Sequence, residues 1–291
     1  MKKLINKFYD VRSGEWKLTG AFFAVSFLLM VVLYFLKPVR DSLFLNGLGA
    51  DKLPYVFILI AVISIPVTGL IIRAVRKYKS YRVFLWTSLA IVAQLFILRQ
   101  LFNLEQDWVY ILFYLWVGIF TILLISQFWV FVNEAYITTQ SKRIIPLLNL
   151  GAILGAIAGS NATNLIIKFT AISTENLLYL SIMALLIIAL FTYVIGQSYA
   201  SKSSKYKNST TKKAPPISAI KNIFSSKYQL IIAGIIGSAM FVSTLADYQL
   251  KATAVDAYSN KEALTSFMGF FYGIISVLAL IIQVVLSGRV L

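Results

Sequence analysis

Trp108-Val-Tyr-Ile-Leu-Phe-Tyr-Leu-Trp-Val-Gly-Ile-Phe-Thr-Ile-Leu-Leu-Ile-Ser-Gln-Phe-Trp-Val-Phe-Val-Asn133 runs 26 residues without a charge. About 20 mostly apolar residues in a helix cross the hydrocarbon core of a bilayer. Only helices and closed barrels satisfy their backbone there, and an uninterrupted run of this length reads as a helix. Comparable windows lie at residues 19–36, 53–72, 83–98 (continuing past Arg99 to Asn103), 144–167, 176–200, 228–246 and 263–288. The sequence therefore predicts eight membrane spans. The first follows Lys2, Lys3 and Lys7 as a signal peptide would, but it is too long and no small-residue cleavage site follows, so it reads as an uncleaved span.

Composition agrees with the spans. Of 291 residues, 59% are hydrophobic and 13% charged, against about 45–50% and 25% in soluble domains. A soluble enzyme and a disordered chain are both excluded. Cysteine and histidine are absent, which removes disulfides, thiolate chemistry, haem attachment, the usual zinc sites and imidazole-based triads. The few acids are scattered, so no catalytic constellation assembles on one face, and neither a cofactor nor a metal is expected.

The net charge of +16 could signal nucleic acid or a membrane, and its placement decides. With the N-terminus inside, the inner segments hold Lys2, Lys3, Lys7, Arg12 and Lys17, then Arg73, Arg76, Lys77, Lys79 and Arg82, then Lys142 and Arg143. After the sixth span come Lys202, Lys205, Lys207, Lys212, Lys213, Lys221 and Lys227, and Arg289 follows the eighth. These are 20 of the 27 basic residues, distributed as the positive-inside rule requires. The charge is a topology signal, and nucleic acid is not a partner.

Residues 201–217, rich in Ser, Thr, Lys and Pro, read as a solvated linker. The apolar spacing of Ile217, Ile220, Ile223 and Phe224 reads as a short helix on the membrane surface. The layout is a six-span bundle (1–200), a basic inner linker (201–227) and two further spans (228–291), as in transporters built from two six-helix halves. On that analogy the chain reads as a fragment lacking about four helices. The fold class expected is all-α, a polytopic helical bundle of major-facilitator type.

Charges inside spans are costly and functional by default. Leu36-Lys-Pro-Val-Arg-Asp-Ser-Leu43 closes the first span; Lys37 and Asp41 are four apart on one helix face, and Arg40 offers a fork for phosphate or carboxylate. The seventh span ends Asp247-Tyr-Gln-Leu-Lys251, a second i, i+4 pair, with Gln249 between. Equivalent placement in two halves points to one central site. Arg99 and Asn161 are further candidates for the cavity wall. Glu134, beside the loop that carries Lys142 and Arg143, is expected at an inner gate or a proton site. Gly151, Gly155 and Gly159, and likewise Gly269 and Gly273, repeat every four residues and give smooth faces for close packing, on which the fifth and eighth spans are expected to meet.

At these residues the chain resembles a known family. Leu36–Leu43 resembles the first-span signature of the ATP/ADP antiporter (nucleotide transporter) family, a branch related to the major facilitator superfamily. Phe128-Trp-Val-Phe-Val-Asn-Glu134, followed by Ser141-Lys-Arg143 and Gly151-Ala-Ile-Leu-Gly155, is similar to its fourth-to-fifth-span signature. Asp247-Tyr-Gln-Leu-Lys251 is similar to the seventh-span motif of its bacterial members. The resemblance implies twelve helices, exchange of nucleotides across a bacterial inner membrane, and basic residues, Arg40 foremost, that handle phosphates with Asp41 beside them. One departure stands out: characterised exchangers carry an acid just before Leu-Trp-Gly in the fourth span, where this sequence has Tyr114-Leu-Trp-Val117.

The function expected is alternating-access transport of an anionic solute, a nucleotide by resemblance, with Lys37, Arg40 and Lys251 attracting phosphates and Asp41 and Asp247 holding those bases. The alternatives are a proton-coupled symporter or exporter using Asp247 or Glu134, and a non-transporting membrane scaffold.

Overall fold

The computed structural model describes residues 14–170, 172–203, 227–258 and 260–290. The described residues form eight long helices, with no strand among them: α1 (Trp16–Leu48), α2 (Leu53–Lys77), α3 (Ser80–Leu101), α4 (Asp107–Ala135), α5 (Thr138–Phe169), α6 (Leu177–Ser203), α7 (Lys227–Ala257) and α8 (Lys261–Val290). Each window read from the sequence has its helix, and all eight are long and apolar enough to cross a membrane. The helices overrun those windows. α1 continues well past Leu36, carrying Lys37, Arg40 and Asp41 inside it and not at its end. It stops at Gly49, whose φ of 77° suits a residue without a side chain. α2 then starts with proline in its first turn. The linker's first three residues continue α6 and Lys227 opens α7, while residues 204–226 with the expected surface helix, and Lys2, Lys3, Lys7 and Arg12, lie outside the described residues.

α1 is the hub, packing on α4, α5, α6 and α8, while α5 lies between α1 and α8. Without a hydrophobic drive between helices in lipid, close approach depends on small residues and polar contacts. A Cβ on Gly155 would run into the Phe27 backbone, and one on Gly159 would meet the Val31 carbonyl oxygen at 2.8 Å, so α5 lies directly on α1. Pro38 lacks the N–H that would bond the Tyr34 carbonyl. The Thr163 hydroxyl reaches from α5 to that oxygen at 3.2 Å, while also lying 2.9 Å from the Gly159 carbonyl. The Ser26 hydroxyl donates to the Leu148 carbonyl at 2.8 Å.

The α5 glycines thus face α1, not α8. α5 and α8 meet on another side of α5, where Gly269 approaches Ser160 and Asn164, and Gly273 approaches Asn161. α7 joins the bundle only near its end, through buried Lys251 and Ala254. There Phe44, Leu53, Tyr114, Ala254, Met268 and Tyr272 form a second apolar cluster, gathering α1, α2, α4, α7 and α8 around the buried charges.

Candidate functional site

The bundle has two unlike ends. The basic end is where α1 begins and where Arg73, Arg76, Lys77, Lys79 and Arg82 join α2 to α3; the far end holds the α1–α2, α3–α4 and α7–α8 connections. Lys37, Arg40 and Asp41 (α1), Tyr114 (α4), Asp247 and Lys251 (α7) and Tyr272 (α8) converge about 10–17 Å from the far helix ends, by the helical rise.

Lys251 is wholly buried, yet fully partnered. Its Nζ lies 2.5 Å from Asp247 Oδ2, 3.3 Å from Asp41 Oδ1 and 3.0 Å from the Tyr114 hydroxyl, to which it donates. Asp41, also fully buried, accepts from Arg40 Nη2 at 2.7 Å and Nε at 2.9 Å, and from the Tyr272 hydroxyl at 2.8 Å. Burial of charge on this scale is tolerated only with such complete pairing. The Arg40 guanidinium lies over the Tyr114 ring at 4.2 Å.

Lys37 differs. Its ammonium sits 3.9 Å above the Tyr272 ring, and no carboxylate of the described residues lies within ion-pair distance of it. The helix-face pairing expected of Lys37 and Asp41 is therefore not the one found. Arg40, one residue away, folds its longer arm back onto Asp41, and Lys251 takes the carboxylate's other side from a different helix. Three cations and two carboxylates leave the cluster one positive charge in excess.

A cavity of about 380 Å³ opens from this cluster, lined by Lys37, Arg40, Phe57, Tyr114, Thr244 and Asp247 among others. That lies toward the small end of ligand pockets. Gly118, Ser243 and Thr244 extend it one turn from Tyr114 and Asp247 toward the basic end. Toward the far end, polar contacts cross between the helices. Ser42 and Thr265 are hydrogen-bonded, Thr174 lies 3.2 Å from Thr265, and Lys261 pairs with Glu175 at 2.6 Å. These contacts tie α8 to α1 and to the α5–α6 connection about 10 Å beyond Tyr272.

The remaining candidates lie elsewhere. Arg99 is at the far end of α3, bound to Asn176 Oδ1 at 2.8 and 3.1 Å and to Asn103 Oδ1 at 3.2 Å, away from the cavity. Asn161 donates to the Ile157 carbonyl and packs against Gly273 of α8. Gln249 is exposed on the opposite side of α7 from Lys251. At the basic end, Glu134 accepts from the Ser80 hydroxyl, Arg143 lies 3.5 Å from Glu15, and Lys142 is exposed. Glu15 also accepts from Gln140 at 2.8 Å, linking the start of α1 to α5.

Tyr272, Thr265, Thr174 and Glu175 were not legible as site residues from the sequence. A tyrosine or threonine in an apolar run reads as core. The available signal is that a buried hydroxyl needs a partner.

Residues 87–291, more than two thirds of the chain, match the model of the TLC ATP/ADP transporter family. The chain belongs to this family. No curated protein and no solved structure matches it. The match begins inside α3 and takes in Tyr114, Asp247, Lys251 and Tyr272, whereas Lys37, Arg40 and Asp41 precede it. Eight membrane-length helices and membership of a TLC transporter family make this a multi-pass membrane protein of the nucleotide-transporter class.

Proposed function

We propose that this protein exchanges nucleotides of the ATP/ADP type across a bacterial inner membrane by alternating access, with its N-terminus in the cytoplasm. Lys37 carries the reading: it is a cation inside a span, on the wall of a cavity, with no carboxylate partner among the described residues. Such a group awaits an anion. Phosphate oxygens entering between Lys37 and Arg40 meet one point charge and one planar fork, and the Tyr114 and Phe57 rings supply flat apolar surface beside them.

Asp41 and Asp247 hold Arg40 and Lys251 in place when no substrate is present, so the empty site is stable and its excess charge stays modest. Tyr114, where the resemblance implies an acid, offers Lys251 a neutral oxygen and leaves the site one charge more positive than a carboxylate would. Contacts across the far end, with a cavity extending toward the basic end, fit a cytoplasm-facing state of a rocking cycle between a six-helix first unit and a second unit that begins with α7 and α8. Proton-coupled transport draws no comparable support, because Asp247 is already paired with Lys251.

The test is nucleotide binding to the purified full-length protein. Lys37→Met removes a cation without orphaning an acid. It is expected to weaken ATP binding by roughly 10- to 100-fold, the worth of about 1.5–3 kcal/mol for a charged hydrogen bond, with unfolding temperature unchanged. Arg40→Ala is expected to weaken it at least as much. Unchanged affinity in both folded variants contradicts the assignment.

A further inference from the structure

A second cavity is larger than the charged one. A groove of about 700 Å³ runs along the membrane-facing side between α2, α3 and α4, floored by Trp116 and Phe120 and walled by Ile71, Ala74, Trp86 and Ala90. It starts at Tyr78 and Arg82 at the basic end and stops at Gln94, which accepts from the Trp116 indole N–H at 3.0 Å. Arg82 to Gln94 is twelve residues, about 18 Å of helix. One leaflet of a hydrocarbon core is about 15 Å deep. The groove therefore has the length of one leaflet, an apolar interior, and an open end at the membrane surface.

That open end is strongly basic. Arg73, Arg76, Lys77, Lys79 and Arg82 fall within ten residues, and no acid occurs in the sequence between Asp51 and Glu105. Among the described residues Arg82 hydrogen-bonds the Tyr81 hydroxyl at 3.1 Å, and no carboxylate of theirs lies within ion-pair distance of Arg82, Lys77 or Lys79.

We propose that this groove binds an anionic phospholipid, with an acyl chain between α2 and α3 against Trp116 and the phosphate headgroup at Arg82 and its basic neighbours. A zwitterionic lipid fits the same apolar channel but gains little from the basic end, so headgroup charge sets the preference, about fivefold for each basic residue engaged. The site is separate from the charged cluster, and the binding does not depend on which nucleotide is carried.

The experiment is native mass spectrometry of the delipidated full-length protein titrated with phosphatidylglycerol and, in parallel, phosphatidylcholine. Wild type is expected to retain one phosphatidylglycerol, with at least fivefold preference over phosphatidylcholine. Ala90→Trp, which fills the groove from its exposed side, is expected to lose that retained lipid. Arg82→Glu is expected to keep lipid but lose at least fivefold of the preference. Both variants should keep the wild-type unfolding temperature in detergent, which shows that they are folded. Three outcomes overturn the proposal: Ala90→Trp retaining phosphatidylglycerol as wild type does, wild type showing no headgroup preference, and wild type taking up no lipid because another part of the protein or a second copy fills the groove.

Discussion

Replacing Lys251 by methionine leaves Asp41 with one cation, Arg40, and the Tyr272 hydroxyl, and Asp247 with no cation of the described residues in contact. Removing one member of a buried ion pair costs about 3–5 kcal/mol, because the abandoned charge stays desolvated. Lys251→Met is therefore expected to lower the unfolding temperature of the detergent-purified protein sharply, whereas Lys37→Met barely moves it. Equal effects would contradict the asymmetry between the two lysines. At this scale the sequence was half legible. The identities of Lys37, Arg40, Asp41, Asp247 and Lys251 stood out because charge is rare in apolar runs. Their pairing did not, except for Asp247 with Lys251, which share a helix face. Spacing along one helix cannot foresee a side chain arriving from another, and so it misses Lys251 at Asp41 and Tyr272 donating to the same carboxylate.

The spans themselves were plain in the sequence, since the thickness of a bilayer demands a certain length of uncharged helix whatever the tertiary fold. Which faces meet was less so. A four-residue glycine repeat says that something comes close, not what, and on α5 the partner is α1 and not α8. Gly155→Ala places a methyl group against the Phe27 backbone, which cannot move aside as a side chain would. Overpacking of this kind is expected to cost about 1–3 kcal/mol. Gly69→Ala in α2 meets nothing within 4 Å and is expected to be neutral or slightly stabilising, as removing glycine from a helix usually is. The paired unfolding temperatures check this, and a destabilised Gly69→Ala with a normal Gly155→Ala would contradict the packing. Pro38 illustrates the same limit. The proline is visible in the sequence, but Thr163 of α5 as the donor to the freed Tyr34 carbonyl is a tertiary fact.

For the whole molecule, the orientation proposed above has the basic end in the cytoplasm, the side that the positive-inside rule favours. The absence of cysteine makes single-cysteine labelling clean. In intact cells an impermeant maleimide is expected to label Asp51→Cys, in the α1–α2 connection, and to reach Lys79→Cys only after lysis; the reverse pattern would invert the topology. In the proposed cycle, the contacts of Lys261, Glu175, Ser42, Thr265 and Thr174 across the far end, with the cavity extending toward the basic end, belong to the cytoplasm-facing state. In the proposed function, a site with one excess positive charge carries nucleotides in exchange, with Tyr114 in place of an acid. Its most direct test is labelled ATP uptake by the full-length protein in liposomes, loaded with ADP or empty. Uptake is expected with internal ADP and not without it, and is expected to fall with Arg40→Ala. Folded protein that takes up no ATP under either condition would contradict nucleotide exchange and leave the family membership describing only the fold.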